Sequence, residues 1–438
     1  MSQVANIVRT ASDVATLVHE NYVNEVKPWL DHISPLAGLF SKLGPGGYSL
    51  IGSKLVFSAD YTYAGGWMGT DGYLPDSQVV DPVSLESTPA RLYLRRAIDN
   101  FIAAIAVKPG AFDDYMARVT EQQWNAVERG TTRHIHGSST GTVCLCAGRV
   151  SQTDITIKDG YGHTGTAPAM FLEPGMWVAW LDAGNSYAVG GVAKIATITY
   201  NTSATTARVT FSGNFDDNST QVDVGDPIVF ATTTSTSATH FITERNKAPL
   251  GLLDIVDPAA SNATYLTVAE ATYPRVKPTR RASSDFGQVE LMSFLAQIAA
   301  KSNSPVSAQS HTLTMQTGAK IELAKELLAF QQAAQLGRVL EGGWTGVRIG
   351  EFDVLDDMYH IQDVVYALCP EDIHVVDLDG EPAVWAGDGS EFLRLSDYDG
   401  KEWFVRHYIQ RFASRRNRCG ALTGVTNPNP ELYSAHPV

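Results

Sequence analysis

The sequence predicts an α+β fold carrying one inserted β module, and three observations predict it. Apolar residues recur at helical spacing in separated blocks, at the N-terminus, after Pro109 and again beyond Phe286. Between the second and third blocks, residues 144–230 read almost wholly as short strands. From Gly342 to Thr423 the chain is again strand-like and is punctuated by Asp379-Gly380 and Asp399-Gly400, both good hairpin turns. Helices and strands are therefore segregated rather than alternating, the mark of α+β organisation.

Each element follows from its own pattern. Val4, Ile7, Val8, Ala11, Val14, Ala15 and Val18 form an amphipathic helical stripe that needs a partner surface. Pro28, Pro35 and Pro45 then impose an extended arm, stopped at Pro45-Gly46-Gly47. The β-prone pieces Lys54–Phe57 and Arg91–Leu94 flank a tip rich in glycine and aromatics, which predicts a projecting hairpin. Its Tyr63, Trp67, Met68 and Tyr73 are candidates for burial by another molecule, because a lone hairpin would leave them in water.

Pro109-Gly110 opens a long helix whose stripe is Phe112, Tyr115, Met116, Val119, Ala126 and Val127, ending in the polar run Arg129–Arg133. The β module follows, with Glu173-Pro174-Gly175 turning into Met176–Trp180 and a last strand at Asp226–Phe230. Seven Ser or Thr residues between Ala231 and His240 close it. Further helices are predicted at Phe286–Ala300 and Ala319–Ala334, with a strand at His311–Met315 between them.

Composition narrows the function. The chain has 438 residues, enough for a sizeable core, and 33 Lys plus Arg against 47 Asp plus Glu give a formal charge of -14. A protein that neutralises duplex phosphates leans the other way, so nucleic acid is not expected as its main ligand. Four scattered cysteines suit a reducing compartment rather than a disulfide framework. The N-terminal residues lack a signal-peptide pattern, and the longest apolar run, Phe101–Val107, is far below the roughly 20 residues of a spanning helix, so no membrane is expected.

Catalytic chemistry finds no foothold. Gly66, Gly69 and Gly72 are not followed by Lys-Ser or Lys-Thr, and His19-Glu20 has Val23 where a second zinc-binding histidine would stand. His134, His136, Cys144 and Cys146 could offer metal ligands, but their alternate spacing is tighter than zinc sites use, and no metal is expected. The acidic pairs Asp113-Asp114 and Asp356-Asp357 read as solvated surface. The tryptophans read as core or interface residues, and no cofactor is implied. Arg411, Arg415, Arg416 and Arg418 form the densest basic cluster, with Lys277, Arg280 and Arg281 a second; Arg411, Arg415 and Arg416 are candidates for contacts with acidic neighbours ahead of DNA.

The order arm, hairpin, long helix, β body and helix-and-strand domain resembles the major capsid proteins of tailed bacteriophages, the Hong Kong ninety-seven phage fold. Ala248–Asp257 with Thr264-Tyr265 and Thr272-Tyr273-Pro274 is similar to the stretch that precedes the axial domain in that family. Ala308–Ala329, Gly342-Gly343, Glu351–Asp357 and Asn417–Val425 are similar to the strands, the helix and the ending of that domain.

The resemblance implies an N-terminal arm at 1–47, an extended loop at 48–97 lying across a neighbour, and a peripheral domain from 98–149 and 232–285 whose spine helix is Pro109–Arg133. It further implies an inserted small β-barrel-like domain at 150–231, an axial domain with returning peripheral strands at 286–425, and a tail at 426–438. The implied function is a non-enzymatic virion protein that self-assembles into hexamers and pentamers of an icosahedral head around double-stranded DNA, in the host bacterial cytoplasm. Implied partners are a portal, decoration proteins, DNA as a non-specific contact, and a separate scaffolding protein, since no charged helical segment precedes the arm. The stripe residues Ile7, Val8 and Val14 join the hairpin tip and the arginines as subunit-interface candidates. Between Lys54 and Lys108 there is no lysine, so covalent chain-mail of the kind some relatives form is not expected. A different class, a β-rich binding or carbohydrate-active module, is suggested by the Ser/Thr-rich strands between Val150 and Phe230.

Overall fold

A computed structural model describes residues 35–43, 47–51, 54–59, 83–99, 130–168, 172–184, 188–200, 206–215, 221–232, 242–243, 245–256, 264–273, 276–283, 286–334, 348–349, 352–357, 359–378, 383–385, 393–394 and 400–425. The N-terminal stripe, the hairpin tip, most of the spine helix, Gly342-Gly343 and the tail at 426–438 lie outside these residues.

Strands β1 (Ser49–Ile51), β2 (Lys54–Ala59) and β3 (Val83–Ser87) form a three-stranded antiparallel sheet in that order. The return strand of the hairpin is therefore β3, with Ala59 opposite Val83, and not Arg91–Leu94. Val83, Leu85 and Ser87 alternate too briefly, and behind a proline, to stand out in the sequence. Arg91–Leu94 instead belong to β4 (Ala90–Asp99), which pairs along its length with the C-terminal strand described below.

Among the described residues the inserted module holds six strands, β5 (Thr142–Arg149), β6 (Asp154–Lys158), β7 (Trp177–Asp182), β8 (Ala188–Tyr200), β9 (Thr206–Phe211) and β10 (Pro227–Thr232). They pair in the ring order β5-β6-β9-β8-β7-β10, and β10 returns to β5, so the sheet closes into an antiparallel barrel with no open edge in the ring. Alternate residues point inward and fill it: Cys144, Cys146, Ile157, Trp180, Phe211 and Phe215 are all buried in one cluster. Gly190 and Gly191 make room for Trp180, because a Cβ at Gly190 would come within 2.1 Å of the indole. The Trp180 indole donates to the Phe215 carbonyl at 3.0 Å.

Two features of this module differ from the sequence expectation. The barrel starts at Thr142 rather than at 150, because β5 closes the ring against β10. The module is also not bounded by turns alone: the segment between β6 and β7 leaves the barrel, and its Tyr161 and Ala167 are buried among Ile135, Ile361, Tyr366 and Cys419 of the main body.

The C-terminal half supplies β11 (Thr279–Ala282), α1 (Gln288–Ser302), β12 (Thr312–Met315), α2 (Thr317–Ala334), β13 (Phe352–Asp356), β14 (Val364–Leu368), β15 (Ile373–Asp377), β16 (Gly400–Ala413) and β17 (Gly420–Thr423). Helix α1 buries Leu291, Phe294, Leu295 and Ile298, one face at three- and four-residue steps, and ends at Asn303 in the left-handed region. That face packs on the mixed sheet β11-β17-β14-β12-β13, where Leu313, Val365 and Leu422 complete the core. Strand β14 is buried at every position, as expected of a strand covered on both faces. A second sheet joins β15, β16 and β4, the last two antiparallel over ten register pairs from Ile409 opposite Ala90 to Gly400 opposite Asp99.

Candidate subunit interface

The described residues place the base of the hairpin but not its tip. Strands β2 and β3 bury Leu55 and Leu85 against Tyr265, Val376 and Phe412, which anchors the hairpin to the body. Beside it, Leu50 and Ile51 on β1 are 56% and 65% exposed, apolar surface that a subunit standing alone gains nothing by showing to water. Tyr63, Trp67, Met68 and Tyr73, like Ile7, Val8 and Val14, fall outside the described residues.

The arginine candidates separate by burial. Arg416 lies inside the subunit, its guanidinium 3.9 Å over the Tyr265 ring, donating to Glu270 at 2.8 Å and to the carbonyls of Ile255 and Asp254. Arg411 is also buried and donates to the Thr131 carbonyl at 2.6 Å; burial pushes its pKa down to about 10. These two guanidinium groups are buried within the chain rather than presented to a neighbour. Arg415 alone of the three has a side chain that is mostly exposed, bonded through Nε to Asp372 at 2.7 Å. Arg418 shares that carboxylate from the buried side at 2.9 Å. Of the second cluster, Lys277 and Arg280 lie 3.7 and 3.6 Å from Glu270, while Arg281 holds Glu290 of α1 through two hydrogen bonds.

The possible metal ligands are not gathered. His136 Nε2 and Asp357 Oδ2 are 3.0 Å apart in the core, whereas Cys144 and Cys146 face the barrel interior. Burial pushes the Cys146 thiol up to about 11 and Cys144 further still, so both behave as small apolar groups. Among the described residues no group of three or more His, Cys, Asp or Glu side chains is placed to hold a metal ion. The same residues contain no helix long and apolar enough to cross a membrane.

Several buried polar residues escaped the sequence reading. Asp357 is 2% exposed rather than solvated, and its other oxygen accepts from the Tyr359 amide. His360 sits 5.0 Å from His136, with Nδ1 2.8 Å from the Ile361 carbonyl and Nε2 3.2 Å from Thr314 Oγ1. Burial, aided by His136, pushes the pKa of His360 down to about 3, so its ring is neutral. Asp356 does reach the surface, where it pairs with Lys320 at 2.6 Å. Glu270 carried no signal at all, since a single glutamate after Thr267-Val268-Ala269 looks like any solvated charge.

No protein-family model and no curated protein sequence matches the chain. Solved structures do. The capsid asymmetric unit of cyanophage A-1(L) aligns over 92% of this chain and 95% of that one at 9% identity, with a TM-score of 0.52. The capsid of an empty GTA particle covers 92% and 100% at 9% identity with a TM-score of 0.41. The SrpI encapsulin of Synechococcus elongatus covers 94% and 96% at 8% identity, also with a TM-score of 0.41. The cyanophage match runs nearly end to end on both chains. The chain therefore has the fold of tailed-phage major capsid proteins, that of the Hong Kong ninety-seven phage shell.

Proposed function

We propose that this chain is a major capsid protein whose copies close, as hexamers and pentamers, into an icosahedral phage head around double-stranded DNA. The observation that carries this is the end-to-end structural match to a capsid subunit, which leaves little of the chain over for a separate activity. Exposed apolar side chains support it: besides Leu50 and Ile51, Val289 and Met292 on the outward face of α1 are 80% and 46% exposed. The residues proposed to make subunit contacts are Ile7, Val8 and Val14 in the arm, Tyr63, Trp67, Met68 and Tyr73 in the hairpin tip, and Arg415. The protein acts without catalysis, in the virion, with a scaffolding protein, a portal and decoration proteins as partners and DNA as a non-specific contact.

The alternative of a β-rich binding module is weakened by the barrel, whose interior is filled by its own side chains, Trp180 and Phe215 among the largest. Negative-stain microscopy of the purified full-length chain tests the proposal. Shells or ring-shaped capsomers are expected; a field of single subunits at every protein concentration would overturn it.

A further inference from the structure

We propose that the cleft between the barrel and β4 binds an amphiphilic anion, a fatty carboxylate whose chain lies on the apolar wall and whose head group meets the cations of the rim. The cleft measures about 270 Å³ and lies where three parts of the chain meet. Ala90 to Tyr93 of β4 form one side, Phe230 and Ala231 of β10 another, and the segments that enter and leave the barrel, at His134 and Pro249, complete it. Junctions between structural modules are where ligand sites tend to form. Binding here is a property of the single subunit and holds whether or not shells assemble.

The wall is apolar, with Ala90, Leu92, Phe230, Ala231, Pro249 and Ile409 all lining the cleft. The charges are of one sign. Arg91, His134 and Lys247 line it and, among the described residues, no Asp or Glu does, in a chain whose 47 acidic residues outnumber its 33 lysines and arginines. Arg91 and Lys247 are exposed, so their long side chains are able to reach a head group while their stems cover the wall.

Two further cations stand beside lining residues. The Arg133 guanidinium lies 3.9 Å over the Phe230 ring, and that of Arg411 donates to the Thr131 carbonyl at 2.6 Å. Arg411 is buried, and its Nη1 has no hydrogen-bond partner among the described residues. A positive field of this kind, focused by low-dielectric walls, favours a negative head group. The volume sets the chain length: a cavity of about 150 Å³ takes one benzene, so this cleft suits roughly ten carbon atoms. A bare phosphate would meet the same cations and leave the wall in water, so the apolar chain distinguishes the occupant.

Isothermal titration of the full-length chain with decanoate tests the site. Decyltrimethylammonium supplies the same chain with a cationic head, and inorganic phosphate supplies negative charge without the chain. Decanoate should bind at one site per chain, and the other two probes about tenfold more weakly or worse. Arg91→Gln with Lys247→Gln should weaken decanoate about tenfold, because two charge-assisted partners of the carboxylate are gone. Ala248→Phe, which puts a ring into the cleft and leaves its charges in place, should abolish binding. Circular dichroism confirms that the variants fold. The wild-type chain gives an independent reading, since decanoate should slow hydrogen exchange at residues 90–93, 130–134 and 243–249. No decanoate binding, equal binding of the cationic probe or of phosphate, many sites indifferent to Ala248→Phe, or protection only elsewhere in the chain would each overturn the inference.

Discussion

Arg416 shows how much the fate of a charged side chain depends on what folds around it. In sequence it is one of four arginines in a cluster; in the fold it is fully buried against Glu270, and Lys277 and Arg280 stand close enough to that carboxylate to soften the loss of Arg416. Arg416→Met should therefore cost about 3 kcal/mol, the low end for breaking a buried pair, read as a shift in the denaturant midpoint. Arg416→Met combined with Glu270→Gln should recover part of that loss, since no buried carboxylate is then left short of its main partner.

His360 gives the pH dependence. Its folded-state pKa of about 3 lies below the 6.5 of an unfolded histidine, so between these values the unfolded chain binds the extra proton. Its stabilising effect is complete above pH 6.5 and is lost as pH falls toward 3. His311 and His374, also shifted down by burial, act in the same direction. Asp254 acts in the opposite direction: burial raises it to about 6, so the folded state binds more protons between pH 3.8 and 6. Comparing wild type with His360→Gln isolates the histidine. The melting temperature of wild type should fall more steeply from pH 6.5 to pH 4 than that of the variant, and parallel curves would contradict the assignment.

At the scale of elements, the sequence was most legible where one periodicity ran long enough. Helix α1 was expected at Phe286–Ala300 and lies at Gln288–Ser302; α2 and β12 fall within two residues of their expected starts. Pairing was less legible. Nothing local distinguishes a strand that returns to its neighbour from one that crosses to β16, more than 300 residues away in the chain, so the sequence alone does not separate β3, the hairpin's return strand, from β4. The barrel was recognised as a β module, but its closure through β5 depends on long-range register that composition does not reveal. Its attachment was invisible, because Tyr161 looks like any turn tyrosine until it is found buried beside Tyr359, with its hydroxyl 3.5 Å from that residue's carbonyl. Tyr161→Ala should destabilise the subunit by about 3–5 kcal/mol, as large-to-small changes in a core do, measured by urea unfolding. Excising 150–231 should do worse, since it strands β5 with Cys144 and Cys146 uncovered. Removing 141–245 is the cleaner cut: the Asn246 amide already bonds to the Thr140 carbonyl, and the main cost should be the site vacated by Tyr161. Equal stability of the two deletions would contradict the closed barrel.

At the scale of the whole molecule, two sheets and the helices of the C-terminal half form a body that holds itself together, while Leu50, Ile51, Val289 and Met292 leave apolar surface exposed. Such surfaces gain stability only from neighbours, and symmetric closure lets one kind of contact serve many copies. Replacing residues 60–82 by Asn-Gly, a turn that suits a two-residue hairpin, should leave the melting temperature of the isolated subunit unchanged and stop particle formation. The central claim is that the chain builds a closed shell, and sedimentation velocity over a wide concentration range tests it most directly. The account predicts that rising concentration converts slow subunits or capsomers into one fast-sedimenting species of fixed size. A single subunit-sized boundary at every concentration, or an open-ended series of growing aggregates, would contradict it.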